Sequence, residues 1–464
     1  MSISDQLAPG AVRLRPDDHF MILSETDTSP MHIGGLIVLD AEGTGTEGTG
    51  GAEFVARMRR QFAERLPLTP LLCRLVPSPE GYDSDVWADI ALPPLEAIAE
   101  AVEPAGGWTD ASLREWIAMR SMDRLDLSGP PFKAFLLPGL PGGRAALFLK
   151  VHHAVMDGIG FQTILRLLSD ETAPFAGERR EAALPAPAEW QALAEARFAA
   201  LEPEARAHKA RRTEALAELE ALKANPETAR PRTPVLKMSG PTSPQRAYAT
   251  FSVRLDRIKA LAKGLEGTVN DVFMAITGAA MRALLLELDD LPAEPLVVNS
   301  ARSYRRPEHG DFGNRIVALH PHIGTHLADP LDRLHAIQAS MANERRRTHL
   351  DEAMLGQPER PFGARDRRAK FAERMEGGRQ LLPGNISLSN VPGPATPMRY
   401  GGYRQLANFP VPILGSGRFL NVTSRRNADM LDMGVMADPT RIPDVSRLPV
   451  LLERALAEYE ALCP

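Results

Sequence analysis

Val151-His152-His153-Ala154-Val155-Met156-Asp157-Gly158 puts two imidazoles and a carboxylate within one short stretch. A histidine takes a proton near neutral pH because its unperturbed pKa is about 6.5, so either imidazole is a candidate general base. Asp157, four residues beyond His153, can orient an imidazole, or pair with an arginine and hold the chain in shape. The residue types leave both roles open. A lone His-His pair is also compatible with an ordinary turn, so the rest of the chain has to raise or lower the odds of chemistry here.

The elements around the motif decide which side chain faces what. Residues 144–151 are an apolar run behind the Pro-Gly-Gly of 141–143, the pattern of a buried strand. Side chains alternate along a strand, so His153 falls in phase with Leu147, Leu149 and Val151, while His152 shares the other face with Phe148 and Lys150. Asp157 and Gly158 break the strand, and Phe161, Ile164, Leu165 and Leu168 resume at helical spacing. The motif therefore sits at a strand-to-helix corner.

The chain has 464 residues, too many for most single cores. The expected organisation is an N-terminal lobe at 1–182 carrying the motif, a helical connector at 183–240 and a C-terminal lobe at 241–464. Hydrophobic residues at 44% against 24% charged are ample for folded cores. The net charge of -5 gives no basic footprint, so nucleic acid is not an expected partner. Two cysteines, Cys73 and Cys463, make neither a disulfide framework nor a Cys-x-x-Cys pair, which suits a reducing, cytoplasmic setting. The N-terminal stretch lacks the apolar core of a signal peptide. The longest apolar helix candidate, 272–288, is interrupted by Arg282 and Glu287, so any membrane contact is expected to be peripheral.

Along the chain, helices are predicted at 54–65, 109–122, 257–265, 270–288, 330–346 and 445–462. Strands are predicted at 30–39, 144–151, 246–255, 296–299, 316–323, 385–390, 418–424 and 430–437. Interleaved elements in both halves argue for an α/β protein with a mixed sheet in each lobe. The Gly/Thr-rich stretch 41–52 reads as a flexible loop; it lacks the Gly-Lys-Ser/Thr of a phosphate-binding loop. In the connector, prolines cut two helical runs. Thr268 stands three residues before Asp271, a capping-box spacing that explains Asn270-Asp271 without any ligand. His320 and His322, predicted on one face of one strand, have no further ligand at metal spacing, and no metal site is expected. Gly415-Ser416-Gly417 lacks the outer spacing of a nucleophile elbow, and Asp311-Phe312-Gly313 lacks the companion kinase motifs.

Several stretches together resemble the bacterial wax ester synthase and acyl-CoA:diacylglycerol acyltransferase family. They are Pro30-Met31-His32-Ile33-Gly34-Gly35, the His152 to Gly158 motif, Asn270-Asp271-Val272, Gly313-Asn314-Arg315 and Ser389-Asn390-Val391-Pro392-Gly393-Pro394. The histidine motif alone also occurs in chloramphenicol acetyltransferase and in peptide-synthetase condensation domains; the Asn-Asp and Ser-Asn-Val-Pro-Gly-Pro stretches narrow it. Pro130-Pro131-Phe132 stands where many members carry Pro-Leu-Trp, a departure that bears on acyl or acceptor preference.

The resemblance implies two chloramphenicol-acetyltransferase-like lobes around a central tunnel, with acyl-CoA as co-substrate and no cofactor or metal. It implies an O-acyltransferase that moves a long acyl chain to a fatty alcohol or diacylglycerol at a membrane or lipid-inclusion surface. His153 would be the base, His152 a support and Asp157 the holder of the corner. Gly158, Asn270, Asp271, Arg315, Ser389 and Asn390 would bind substrate, Arg315 by meeting a carboxylate or a coenzyme A phosphate. Two other readings stay open: a condensation-type acyltransferase acting on a more polar alcohol or amine, and an inactive relative that binds lipid or coenzyme A.

Overall fold

The computed structural model describes residues 5–40, 51–177, 179–376 and 383–463; most of the 41–52 stretch lies outside these. Two six-stranded sheets carry the molecule. The first has the order Arg399–Tyr400, Tyr403–Val411, His32–Asp40, Arg144–His152, Phe132–Leu140, Ala99–Ala101. The second runs Ile316–Leu319, Val298–Ser303, Ile386–Val391, Leu420–Asn427, Met430–Ala437, Ala247–Arg254. A small four-stranded sheet is built from Gln6–Ala8, Ala11–Arg13, Val86–Asp89 and Cys73–Val76. The α/β architecture expected from the sequence, with one mixed sheet in each half, is what forms.

The motif strand lies in the interior of its sheet, between His32–Asp40 and Phe132–Leu140, both antiparallel to it. Burial on both faces explains its near-continuous apolar spelling, Ala145 to Leu149 being 0% exposed. One face packs on Phe54, Met58 and Phe62 of helix Gly51–Arg65 and on Phe161, Ile164 and Leu165 of helix Gly158–Leu167. The other face, through Phe148 and Ala146, joins Trp108, Ile117, Phe135, Tyr248 and Met436 in a core that spans both halves.

The halves are interlocked as well as packed. Residues 399–411 leave the C-terminal half and add two strands to the first sheet, beside His32–Asp40. Where this excursion meets the second sheet, a Cβ on Gly434 would stand 1.7 Å from the Pro410 carbonyl oxygen, so only glycine permits the approach. The Tyr248 hydroxyl donates to that same carbonyl at 2.8 Å.

Three expectations change. The connector's two helical runs form one helix, Pro187–Ala224, with Pro203 inside it; its Ala-rich flanks tolerate one lost backbone bond, and it packs on helix Pro330–Met354. Strand 316–323 stops at Leu319, because Pro321 separates His320 from His322; the two histidines then do not share a strand face. Strand Tyr403–Val411 and helix Gly363–Glu376 went unassigned in the sequence. One described helix, Val269–Glu287, is long and apolar enough to cross a membrane by length and composition. It is the buried centre of the C-terminal core, with Val272 to Met281 almost wholly covered.

Candidate active site

The motif turns away from its sheet at His153, one residue past the paired strand Arg144–His152. Strand alternation therefore does not aim this side chain; two backbone bonds do. The His153 N–H donates to the Met31 carbonyl at 2.7 Å, and its own carbonyl accepts from Asn314 Nδ2 at 2.7 Å. Asn314 is itself fixed, its N–H and Nδ2 donating to Asp18 Oδ1 at 2.6 and 2.9 Å while its carbonyl accepts from Arg15 at 2.7 Å. Half-buried, His153 faces a cavity. Burial depresses its pKa from 6.5, against the opposing pull of its own backbone carbonyl, Asp157 and Asn314. At neutral pH the imidazole is uncharged, the form that can accept a proton.

Asp157 caps helix Gly158–Leu167: Oδ1 accepts from Ile159 N and Gly160 N, both at 3.1 Å. Its other oxygen accepts from Arg305 at 2.8 Å and from Arg315 N at 3.1 Å. The arginine that the sequence could not name is thus Arg305, which also donates to the carbonyls of Gly310, Phe312 and Gly313. Gly313 N closes the seam on the Val155 carbonyl at 2.9 Å. Asp157 fastens the motif to the 305–315 loop of the other half; it does not reach into the cavity.

His152 is fully buried and turned away from His153. Its Nδ1 accepts from Ala154 N at 3.1 Å, so Nε2 carries the proton and lies 3.4 Å from Glu25 Oε2. His32 Nε2 is also 3.4 Å from that oxygen, and Met31 N donates to it at 2.9 Å. Burial alone would raise the Glu25 pKa, but the two imidazoles and the Met31 N–H beside it prevail and hold it well below the usual carboxylate range. His32 is pushed by burial down to about 4. Donor atoms of Glu25, His32 and His152 lie within 4.8 Å of one another, a set that could hold a metal ion. Arg124, paired with Glu25 at 2.7 Å, supplies a positive charge beside that carboxylate.

The cavity measures about 570 Å³ and lies between the halves. Phe20, Met21, Met31 and Ile33 come from one side and Ala301, Ile316, Leu388 and Val411 from the C-terminal half, so much of the wall is apolar. Of the sequence candidates, His153, Gly158 and Ser389 line it. Asn390 is exposed, with Oδ1 accepting from Ser424 at 3.1 Å. Arg315 lies outside the lining, its backbone on Asp157. Asn270 and Asp271 also lie outside it: Asp271 completes the capping box with Thr268, at 2.9 and 3.1 Å, and Asn270 reaches Met274 Sδ. Sequence reasoning missed Glu25, Asp18 and Arg305, and quoted His32 and Asn314 only inside longer landmarks.

Residues 14–273 match the profile of the wax ester synthase/diacylglycerol acyltransferase catalytic domain, and 312–460 match the C-terminal domain of the same family. An O-acyltransferase of Acinetobacter baylyi is 26% identical, the alignment covering 97% of each chain. A putative diacylglycerol O-acyltransferase of Mycobacterium tuberculosis is 28% identical over 96% of this chain and 99% of its own. Among solved structures, the wax ester synthase/diacylglycerol acyltransferase of Marinobacter aquaeolei superposes with a TM-score of 0.67 at 22% identity, covering 97% and 99% of the two chains. The starter condensation domain of rhizomide synthetase, in complex with C8-CoA, gives 0.57 at 16% identity over 98% and 95%. Such low identities speak for the two-lobed fold.

Proposed function

The chain belongs to the wax ester synthase/diacylglycerol acyltransferase family, and from that premise we propose that it transfers a long acyl chain from coenzyme A to a fatty alcohol or diacylglycerol, with His153 as general base. One observation carries the role of His153: an imidazole kept neutral by burial, pinned through both its backbone groups, faces a largely apolar cavity between the halves. An apolar wall suits a long acyl chain and a lipophilic alcohol.

In this mechanism the acceptor O–H bond breaks as its proton passes to His153 and its oxygen attacks the thioester carbonyl. The tetrahedral oxyanion collapses to the ester, and the departing thiolate takes the proton back from His153. Ser389, which lines the cavity, supplies a hydroxyl donor toward the oxyanion. His152 and Asp157 act through the backbone: one braces the turn on Glu25, the other ties it to Arg305. Substrates this apolar favour working at a membrane or lipid-inclusion surface, which the protein would touch only peripherally.

The test offers purified protein an acyl-CoA with hexadecanol or diacylglycerol and follows thiol release and ester together. Stoichiometric ester and thiol are expected. Thiol release with a polar amine but with neither lipid acceptor would move the reading to a condensation-type transferase, and neither product with any acceptor would defeat it.

A further inference from the structure

Two adjacent strands present a polar stripe to the otherwise largely apolar cavity. Ile386–Val391 and Leu420–Asn427 pair in parallel, aligning Ser387 with Asn421, Ser389 with Thr423 and Val391 with Arg425. All six of these residues line the cavity, spaced at the two-residue period of a strand face.

The stripe ends on a guanidinium in an unusual setting. Arg425 is only 3% exposed. Two other buried arginines meet carboxylates directly, Arg13 with Asp83 and Arg347 with Glu344. Among the described residues, Arg425 instead makes one hydrogen bond to a neutral group, donating to Asn408 Oδ1 at 3.0 Å, and lies over the Phe161 ring at 4.9 Å. Its buried Nε has no partner. Asp432 stands opposite Arg425 in the strand register but makes no direct hydrogen bond or ion pair with it; the Asn408 N–H donates to Asp432 Oδ2 at 2.8 Å, and that carboxylate is further held by Ser252 and Asn427. Burial pushes the Arg425 pKa down to about 10, which leaves it cationic at neutral pH. Gly35 packs against the group that surrounds it, a Cβ there standing 3.2 Å from both Asn408 Oδ1 and the Phe161 ring. A buried guanidinium without a direct ion pair is costly unless something completes it, and a guanidinium fork matches a carboxylate best.

We propose that Arg425, at the end of the Ser387, Ser389, Asn421 and Thr423 stripe, binds the carboxylate of a substrate, so that one partner in the transfer is a carboxylate-bearing long chain. This rests on the acyl-transfer reading. The carboxylate can belong to the acceptor, as in a hydroxy acid, or to the far end of the acyl group.

The first measurement is binding, independent of turnover. Palmitate, methyl palmitate and hexadecanol displace a fluorescent fatty acid from wild type, Arg425→Gln and Arg425→Lys at neutral pH. The expected result is palmitate binding to wild type about tenfold or more tightly than its methyl ester, with the difference abolished in Arg425→Gln and partly kept in Arg425→Lys. Equal affinity of wild type for palmitate and methyl palmitate overturns the proposal whether or not the variants fold. So does undiminished selectivity in Arg425→Gln. Turnover then assigns the source: omega-hydroxypalmitate preferred over hexadecanol with palmitoyl-CoA marks the acceptor, and a carboxyl-ended acyl-CoA preferred over palmitoyl-CoA marks the donor. Activity with a preference in neither arm overturns the substrate assignment. Absence of ester from every pair counts against the acyl-transfer reading, while the binding selectivity still decides on Arg425.

Discussion

Removing the Asp157 carboxylate should act first on stability. In Asp157→Asn the cap oxygen survives, but an amide nitrogen then faces two donors, Arg305 and the Arg315 N–H, at the positions of 2.8 and 3.1 Å bonds. Breaking a buried ion pair from one side costs about 3 to 5 kcal/mol. The lower end applies, since Arg305 keeps its three carbonyl partners. Asp157→Ala also loses the bonds to Ile159 N and Gly160 N, about 1 kcal/mol more for a lost cap. About 4 kcal/mol in a melting unit of about 150 to 250 residues, the size of one half of the chain, lowers Tm by about 8 to 16 °C. Differential scanning fluorimetry beside a thiol-release assay should give a Tm order of wild type, Asn variant, Ala variant, with activity lost as the corner loosens. Lost activity at an unchanged Tm would refute this and mark Asp157 as a group acting directly on substrate.

Glu25→Gln leaves His32 and His152 facing a neutral amide; about a tenfold fall in kcat with little change in KM is expected, checked by initial rates, and an unaltered kcat would show that the brace does not position His153. Because burial depresses the His153 pKa, activity should be full at neutral pH and fall only on acidification below about 6.5, as the imidazole protonates; an acidic limb above that value in the kcat/KM profile would contradict it. His19, His32, His320 and His322 are each held near 4 in the fold against 6.5, with burial the first cause. The unfolded chain binds those protons and the fold does not, so their contribution is present above 6.5 and lost as pH falls toward 4. The urea midpoint should be clearly lower at about pH 5 than at about pH 7.5, and equal midpoints would argue against it.

The corner was legible in the sequence because its signals are local. An apolar run, an Asp-Gly break and a restarted helical period lie within one continuous stretch, and Thr268 announces its own capping box. What fixes His153 was not legible, since Asn314 and Arg305 are brought to the motif from 161 and 148 residues away by packing of the halves. Strand Tyr403–Val411 hid for another reason: Gln405 and Asn408 are buried, Pro410 sits within it and its register shifts near Gln405, so the alternation is broken. Glu25 gave no signal at all, being one acid in a polar run whose value comes from the two imidazoles it meets. Arg425 reads as one of a pair of arginines before a turn, and only the register with Val391 reveals that it faces the cavity.

Direct transfer with His153 as the base leaves no covalent acyl-protein on the path. Wild type and His153→Ala, both checked for folding by their melting curves, would be given labelled acyl-CoA with and without hexadecanol, with ester, thiol and acyl-protein measured in the same quenched samples. Ester and thiol are expected in equal amounts from wild type only when the alcohol is present, with no acyl-protein at any time and a rate at least about a hundredfold lower in folded His153→Ala. Acyl-protein forming before ester, or equal rates for the two proteins, would contradict it.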